Sequence, residues 1–213
     1  LSAAGARLRP DEYSHSSIRN LYLDTPDFRL IRRSLEKPVY KEKLRLRSYG
    51  RADREHPVFM ELKKKYRSIV YKRRLTLPYG RALDCLTGDC PWPETQIGRE
   101  IGYAMDFYPD LEPRVFLSYE RDSWYAPESG LRITFDDAIR FRTADLTLDS
   151  DLWGTALLRP DQVLMELKAP GAIPLWMVRL LTEMGLYKTS FSKYGTAYQI
   201  LLEQEYKGGK RYA

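Results

Sequence analysis

The stretch Lys41 to Tyr49 reads K-E-K-L-R-L-R-S-Y. Side chains alternate across a strand, so Lys41, Lys43, Arg45, Arg47 and Tyr49 share one face, and Glu42, Leu44, Leu46 and Ser48 share the other. All four ionisable groups on the first face are cations. Neighbours along that face lie about 7 Å apart. Each adjacent pair repels by roughly 2.4 kcal/mol at an effective dielectric near 20, and by about 0.6 kcal/mol in open water. Such a row is tolerable on a wetted surface. Enclosed, it requires an anion.

The next two segments repeat the theme. Val58 to Tyr66 places Phe59, Glu61, Lys63 and Lys65 opposite Val58, Met60, Leu62, Lys64 and Tyr66. Ile69 to Leu77 places Val70, Lys72, Arg74 and Thr76 opposite Ile69, Tyr71, Arg73, Leu75 and Leu77. Tyr66-Arg67-Ser68 reads as the hairpin loop between them, without the Asn-Gly or Asp-Gly signature of a tight turn. Taken alone, three amphipathic strands with a solvated polar face account for this stretch equally well, because charge runs usually face water.

Recurrence along the chain shifts that balance. Ile18 to Asp24 reads as a short strand. Val115 to Tyr125 carries Val115, Leu117, Tyr119 and Arg121 on one side, and Leu131 to Asp137 aligns Arg132, Thr134 and Asp136. Val163 to Lys168 repeats the Glu-Leu-Lys of residues 61–63, with Leu164, Glu166 and Lys168 on one face. Thr25 and Pro26 suit the cap and first position of a helix reaching Leu35. Further helices are expected over Tyr79–Cys85, Glu94–Phe107, Pro174–Met184 and Tyr194–Glu205. Leu1 to Arg9 reads as the tail of a helix, and residues 207–213 as a mobile tail.

Seven strand candidates with an apolar and a basic face could close into a barrel, since inward and outward residues alternate on every strand. The 213 residues fit one large domain or two small ones. A net charge of +6 points to an anionic partner: nucleic acid, anionic lipid or a phosphorylated small molecule. No apolar run approaches the ~20 residues of a membrane span. Cys85 and Cys90 lack companions at metal spacing, so neither zinc nor a disulfide framework is indicated, and they suit a reducing cytoplasm. Tyr49, Tyr66 and Tyr71 could stack on bases, but alternation splits them between faces, which argues against nucleic acid. His15 and His56 stand in poor contexts for a general base.

In order, I-R-N-L-Y-L-D-T-P-D, K-E-K-L-R-L-R-S-Y, F-M-E-L-K-K-K, V-Y-K-R-R, L-S-Y-E-R, L-R-I-T-F-D, L-M-E-L-K and F-S-K-Y resemble the VTC domain. That family is the polyphosphate polymerase branch of the triphosphate tunnel metalloenzymes, and the resemblance spans about Ile18 to Tyr198. It implies a single α+β domain over residues 1–213, an eight-stranded antiparallel β-tunnel with helices packed outside. It also implies transfer of the ATP γ-phosphate to inorganic polyphosphate with a divalent cation, manganese or magnesium. Carried onto this sequence, the catalytic cations are Arg45, Arg47, Lys63, Lys72, Arg121, Arg132 and Lys193. Ser192 binds substrate with Lys193 at the tunnel rim, and Glu166 is the metal ligand. By alternation rather than by the resemblance, Lys43, Lys65, Arg74 and Lys168 share faces with these residues at the tunnel mouth and Tyr119 shares one with Arg121, so Lys43, Arg74, Tyr119 and Lys168 are expected to bind substrate too. Glu61 is open between a metal role and an ion-pair role, and Asp136 between a lumenal and a structural one. The family's opening strand, with its glutamate and lysine, has no counterpart here, which leaves a gap in the expected tunnel. Two other activities fit the same scaffold: a tripolyphosphatase, and a non-catalytic polyphosphate or inositol-phosphate binder. The sparse carboxylates favour transfer to phosphate over transfer to water.

Overall fold

The computed structural model describes residues 5, 7–67 and 69–209, with side chains up to residue 206 in the last helix. Strand β1 (Arg9–Asp24) leads into α1 (Arg29–Leu35) and then β2 (Tyr40–Tyr49), β3 (Pro57–Tyr66) and β4 (Ile69–Pro78). Helices α2 (Tyr79–Thr87) and α3 (Gln96–Phe107) precede β5 (Glu112–Ala126), β6 (Leu131–Arg142), β7 (Thr155–Ala156) and β8 (Leu164–Lys168). Helices α4 (Leu175–Glu183) and α5 (Lys193–Gly209) follow. The eight strands make one antiparallel sheet, ordered β4-β3-β2-β1-β5-β6-β7, with β8 also pairing β6.

The sheet curls. Burial lowers the Lys168 pKa on β8 and, against the opposing Glu166, so do the charges of Arg121, Lys72 on β4 and Arg47 on β2. Strands remote in the sheet order therefore approach across a shared interior. Edges β4 and β8 do not pair with each other among the described residues, so the tunnel is open along one side as a trough.

Alternation sorts the core. Leu44, Leu46, Met60 and Leu62 are fully buried on the outer face, under α2 and α3, together with Leu21, Leu23 and Phe116. Each such side chain contributes roughly 1.5–3 kcal/mol, enough to hold the strands together despite repulsion on their other face. Met177 of α4 packs beside Leu131 and Ile133. Helix α5 takes the opposite side. Its Tyr194, Ala197 and Tyr198 join Ile18, Tyr22, Leu117, Tyr119 and Phe141, so it closes one end of the charged face and is not packed outside.

Several boundaries differ from the sequence expectations. Strand β1 begins at Arg9, not Ile18, because β5 is long enough to pair with it as far as Arg9↔Tyr125; a register shift separates Pro10 from His15. The helical tail expected over Leu1–Arg9 falls largely outside the described residues, and Arg9 is already strand. Helix α1 begins at Arg29 after Phe28 in the left-handed region. Thr25 still caps it: its Oγ1 accepts from Arg29 N at 2.9 Å, and the buried Asp24 carboxylate accepts from Leu30 N and Ile31 N at 2.8 and 3.0 Å. Strand β6 continues to Arg142 past Ala138, whose φ of 45° accompanies the β5–β6 register shift. Of the expected hairpin loop, Ser68 lies outside the described residues, and Arg67 has φ 53°.

Candidate anion-binding trough

Register stacks the charged face into rows. Tyr22, Arg45, Glu61 and Arg74 stand side by side across β1, β2, β3 and β4. One row along are Lys43, Lys63 and Lys72, and on the other side Asn20, Arg47, Phe59 and Thr76. Like charges directly opposite one another destabilise a sheet. Three lysines in a row are tolerable because Glu61 sits beside them. Its carboxylate, 2% exposed, accepts from Arg45 Nε at 2.7 Å, Arg74 Nε at 2.8 Å and Lys72 Nζ at 2.8 Å. Burial alone would raise its pKa, but the charges of Arg45 and Arg47 and the hydrogen bond from Lys72 outweigh it and hold the carboxyl well below the usual range. Glu61 is thus an ion-pair centre.

The opposite wall is built from β5, β6, β8 and α5. Arg121 donates to both Asp136 oxygens, at 2.6 and 2.7 Å. Lys193, at the start of α5, donates to Asp136 Oδ2 at 2.6 Å and to Glu166 Oε1 at 3.0 Å, and stands 4.7 Å above the Tyr119 ring. Asp136 is fully buried, whereas the Glu166 side chain is 36% exposed. Burial lowers the Lys193 pKa, but Asp136, Tyr119 and Glu166 more than reverse that. For Glu166, burial raises the pKa and Lys193 and Arg121 bring it down below the ordinary value.

Hydrogen bonds tie the two walls together. Arg47 donates to Asn20 Oδ1 at 2.9 Å and to the Tyr119 hydroxyl at 3.1 Å. Arg45 donates to the Tyr22 hydroxyl at 3.0 Å. The Tyr22 ring stacks on Tyr194, centroids 4.4 Å apart, and the Tyr194 hydroxyl donates to Asp24 at 2.9 Å. Lys43 donates to Ser192 Oγ at 3.0 Å, and the same oxygen caps α5 by accepting from Gly195 N. Burial depresses the Lys43 pKa, and Lys41, Lys63 and Arg45 add to it against the opposing Tyr22.

The structure therefore brings Lys43, Arg45, Arg47, Lys63, Lys72, Arg74, Tyr119, Arg121, Glu166, Lys168, Ser192 and Lys193 to one interior. Lys63 makes no hydrogen bond or ion pair among the described residues, and flanks Lys43 and Lys72. Arg132 stands apart. It shares the face of Thr134 and Asp136 and pairs in register with Lys168, but its side chain is 60% exposed and its guanidinium binds Asp11 of β1 at 2.5 Å. Its place is the rim.

Sequence reasoning passed over Asn20, Tyr22 and Tyr194, which orient Arg47, Arg45 and α5. Alternation along I-R-N-L-Y-L-D puts Asn20, Tyr22 and Asp24 on one face, a polar face in an otherwise apolar strand. That was the available signal.

A divalent cation favours oxygen donors, and magnesium in particular takes one or two carboxylates and completes its shell with substrate phosphates and water. Among the described residues no group of three His, Cys, Asp or Glu side chains is arranged for a metal. Asp136 and Glu61 are saturated by cations. Glu166 is half-open, and its register partner Thr134 has a buried, unpartnered Oγ1. These two oxygens fit a cation that arrives with a phosphate ligand.

A curled antiparallel sheet with a cation-lined interior defines a tunnel-fold, phosphate-related enzyme. The VTC domain model matches residues 2–202, and the chain belongs to that family. Among solved structures, a Bacillus halodurans protein designated an adenylate cyclase aligns at TM-score 0.50 and 16% identity, covering 85% of this chain and 81% of that one. The PH1819 protein of Pyrococcus horikoshii aligns at TM-score 0.46 and 12% identity, covering 95% and 92%. The first of these likenesses concerns the fold alone. No curated protein sequence matches. No helix among the described residues is long and apolar enough to cross a membrane.

Proposed function

We propose that the chain is a polyphosphate polymerase, transferring the γ-phosphoryl group of ATP to the end of an inorganic polyphosphate chain within the trough. One observation carries the reading. The interior cations outnumber Glu61, Asp136 and Glu166, and those carboxylates are already engaged, so the remaining positive charge requires a polyanion.

Arginine grips phosphate through a planar fork, and lysine acts as a mobile point charge. Arg45, Arg47 and Arg121 are each anchored by protein partners, so their guanidinium planes are oriented before substrate arrives, Arg121 by giving one fork to Asp136. Lys63, Lys72 and Lys168, more exposed, supply charge that can follow the phosphates. Lys193 and the start of α5 meet the chain where the trough closes, and a helix N-terminus favours anions. The terminal oxygen of the acceptor phosphate attacks the γ-phosphorus, the bond to the β–γ bridging oxygen breaks, and ADP leaves with that oxygen. No covalent enzyme intermediate and no general base are needed. A divalent cation held by Glu166 would neutralise charge on the transferred group. Water is a poor competitor because Glu61 and Asp136 already accept from cations and the open oxygen of Glu166 would be taken by the divalent cation, leaving none of the three to activate it.

Phosphorus NMR of the protein with ATP and manganese tests this. Growth of bridging-phosphate signal alongside ADP is expected. Orthophosphate alone would replace the polymerase with a tripolyphosphatase, and absence of turnover with retained tripolyphosphate binding would replace it with a binding module.

A further inference from the structure

Thr134 lies mid-strand in β6, two residues from Arg132 and two from Asp136, so its side chain points into the trough with theirs. Its cross-strand neighbours are Ser123 on β5 and Glu166 on β8. Directly opposed residues hold their Cβ atoms about 4.5–5.5 Å apart, near enough for one ion to take an oxygen from each. The Thr134 Oγ1 is buried and has no hydrogen-bond partner among the described residues. Leaving a buried hydroxyl unpaired is costly, so the position calls for a partner from outside the chain.

The neighbouring groups do not supply one. Arg121 spends its fork on Asp136, and Lys193 bridges Asp136 and Glu166. Glu166 uses Oε1 for Lys193, and no described residue hydrogen-bonds its Oε2. Glu166 Oε2 and Thr134 Oγ1 are therefore open oxygens of this wall, on adjacent strands in the same row. Both suit a hard cation.

The surroundings also decide when such a cation can bind. Lys193, Arg121 and Lys168 crowd Glu166, and their charge repels a free divalent ion. A bound triphosphate reverses the local sign and brings further oxygens. We propose that Thr134 is a second protein ligand, beside Glu166, for the divalent cation, and that the ion enters as its triphosphate complex. The inference rests on the reading that the trough binds triphosphate with a divalent cation.

Water-proton relaxation during manganese titration reports protein-bound ion directly. The full chain, with and without tripolyphosphate, is compared with Thr134→Val, Thr134→Ser and Glu166→Gln, all checked for unchanged melting temperature. Enhancement in the wild type is expected only with tripolyphosphate present. Thr134→Val should weaken manganese affinity about tenfold, the effect of losing roughly one good ligand, and Thr134→Ser should restore it. Tripolyphosphate affinity in EDTA should be the same for wild type and Thr134→Val. Wild-type manganese affinity in Thr134→Val would overturn the ligand assignment. Equal loss of tripolyphosphate binding in EDTA would overturn it too, by showing that the hydroxyl serves the phosphate. Tight manganese binding without tripolyphosphate would overturn the order of entry. If tripolyphosphate binds but neither wild type nor Glu166→Gln ever shows bound manganese, the metal reading beneath the inference fails as well.

Discussion

Glu61 on β3 gathers Arg45, Lys72 and Arg74 from the two strands beside it, and is 2% exposed. Glu166 on β8 shares one lysine with Asp136, is 36% exposed, and owes that lysine to a helix that begins twenty-seven residues later. The first centre is saturated and local. The second is half-open and assembled from distant parts of the chain. A saturated carboxylate fixes the positions of cations, whereas an open one retains capacity for an incoming ligand. The two walls divide the work accordingly: β2, β3 and β4 hold a rigid cationic grip, and β6, β8 and α5 present the groups that respond to what is gripped.

The sharpest way to break that contrast is Glu61→Gln. Removing one partner of a buried ionic cluster costs about 3–5 kcal/mol, here because Arg45, Lys72 and Arg74 would face one another uncompensated. Chemical denaturation should show that loss, and saturating tripolyphosphate should recover much of it. If stability is unchanged, Glu61 is not the centre of its wall. Next in size is Arg45→Ala, expected to weaken tripolyphosphate binding about a hundredfold, roughly 2.7 kcal/mol, with phosphate transfer lost and the fold retained. Calorimetric titration measures it, and near-wild-type affinity would remove Arg45 from the grip. Tyr194→Phe should cost about 1 kcal/mol, the ordinary worth of a buried hydrogen bond, read as a lower melting temperature. Glu166→Gln should change stability least, within about 0.5 kcal/mol, while abolishing manganese-dependent activity. A large stability loss there would erase the distinction between the walls.

Acid sharpens the same comparison. Glu61 titrates well below its unfolded value of about 4.3. Its contribution to stability is complete above that value and is lost as pH falls through the folded pKa. Unfolding free energy followed below pH 4 should therefore fall steeply in the wild type and less steeply in Glu61→Gln.

Much of this was legible in the chain. The period of two in K-E-K-L-R-L-R-S-Y placed Lys43, Arg45 and Arg47 on one face, and the same rule grouped Glu61 with Lys63, and Lys72 with Arg74. It could not say which residue of β3 stands beside which of β2 and β4. That left Glu61 open between metal and ion pair until register set it between Arg45 and Arg74. Arg132 shows the opposite limit. Its face was read correctly, but its ion-pair partner is Asp11, in the stretch between the helical tail expected up to Arg9 and the strand expected from Ile18, and pairing with β5 drew that stretch into β1.

Sequence alone settled which side chains share a face, because alternation along a strand is a property of the backbone and needs no partner. It also indicated the chemistry, since a row of cations cannot be enclosed without an anion. Only the tertiary structure decided how the faces meet. The curl that carries Lys168 toward Lys72, the entry of α5 that delivers Lys193 to Asp136 and Glu166, and the burial that leaves Thr134 unpaired all depend on contacts between residues far apart in the chain. Local periodicity carries no information about such contacts.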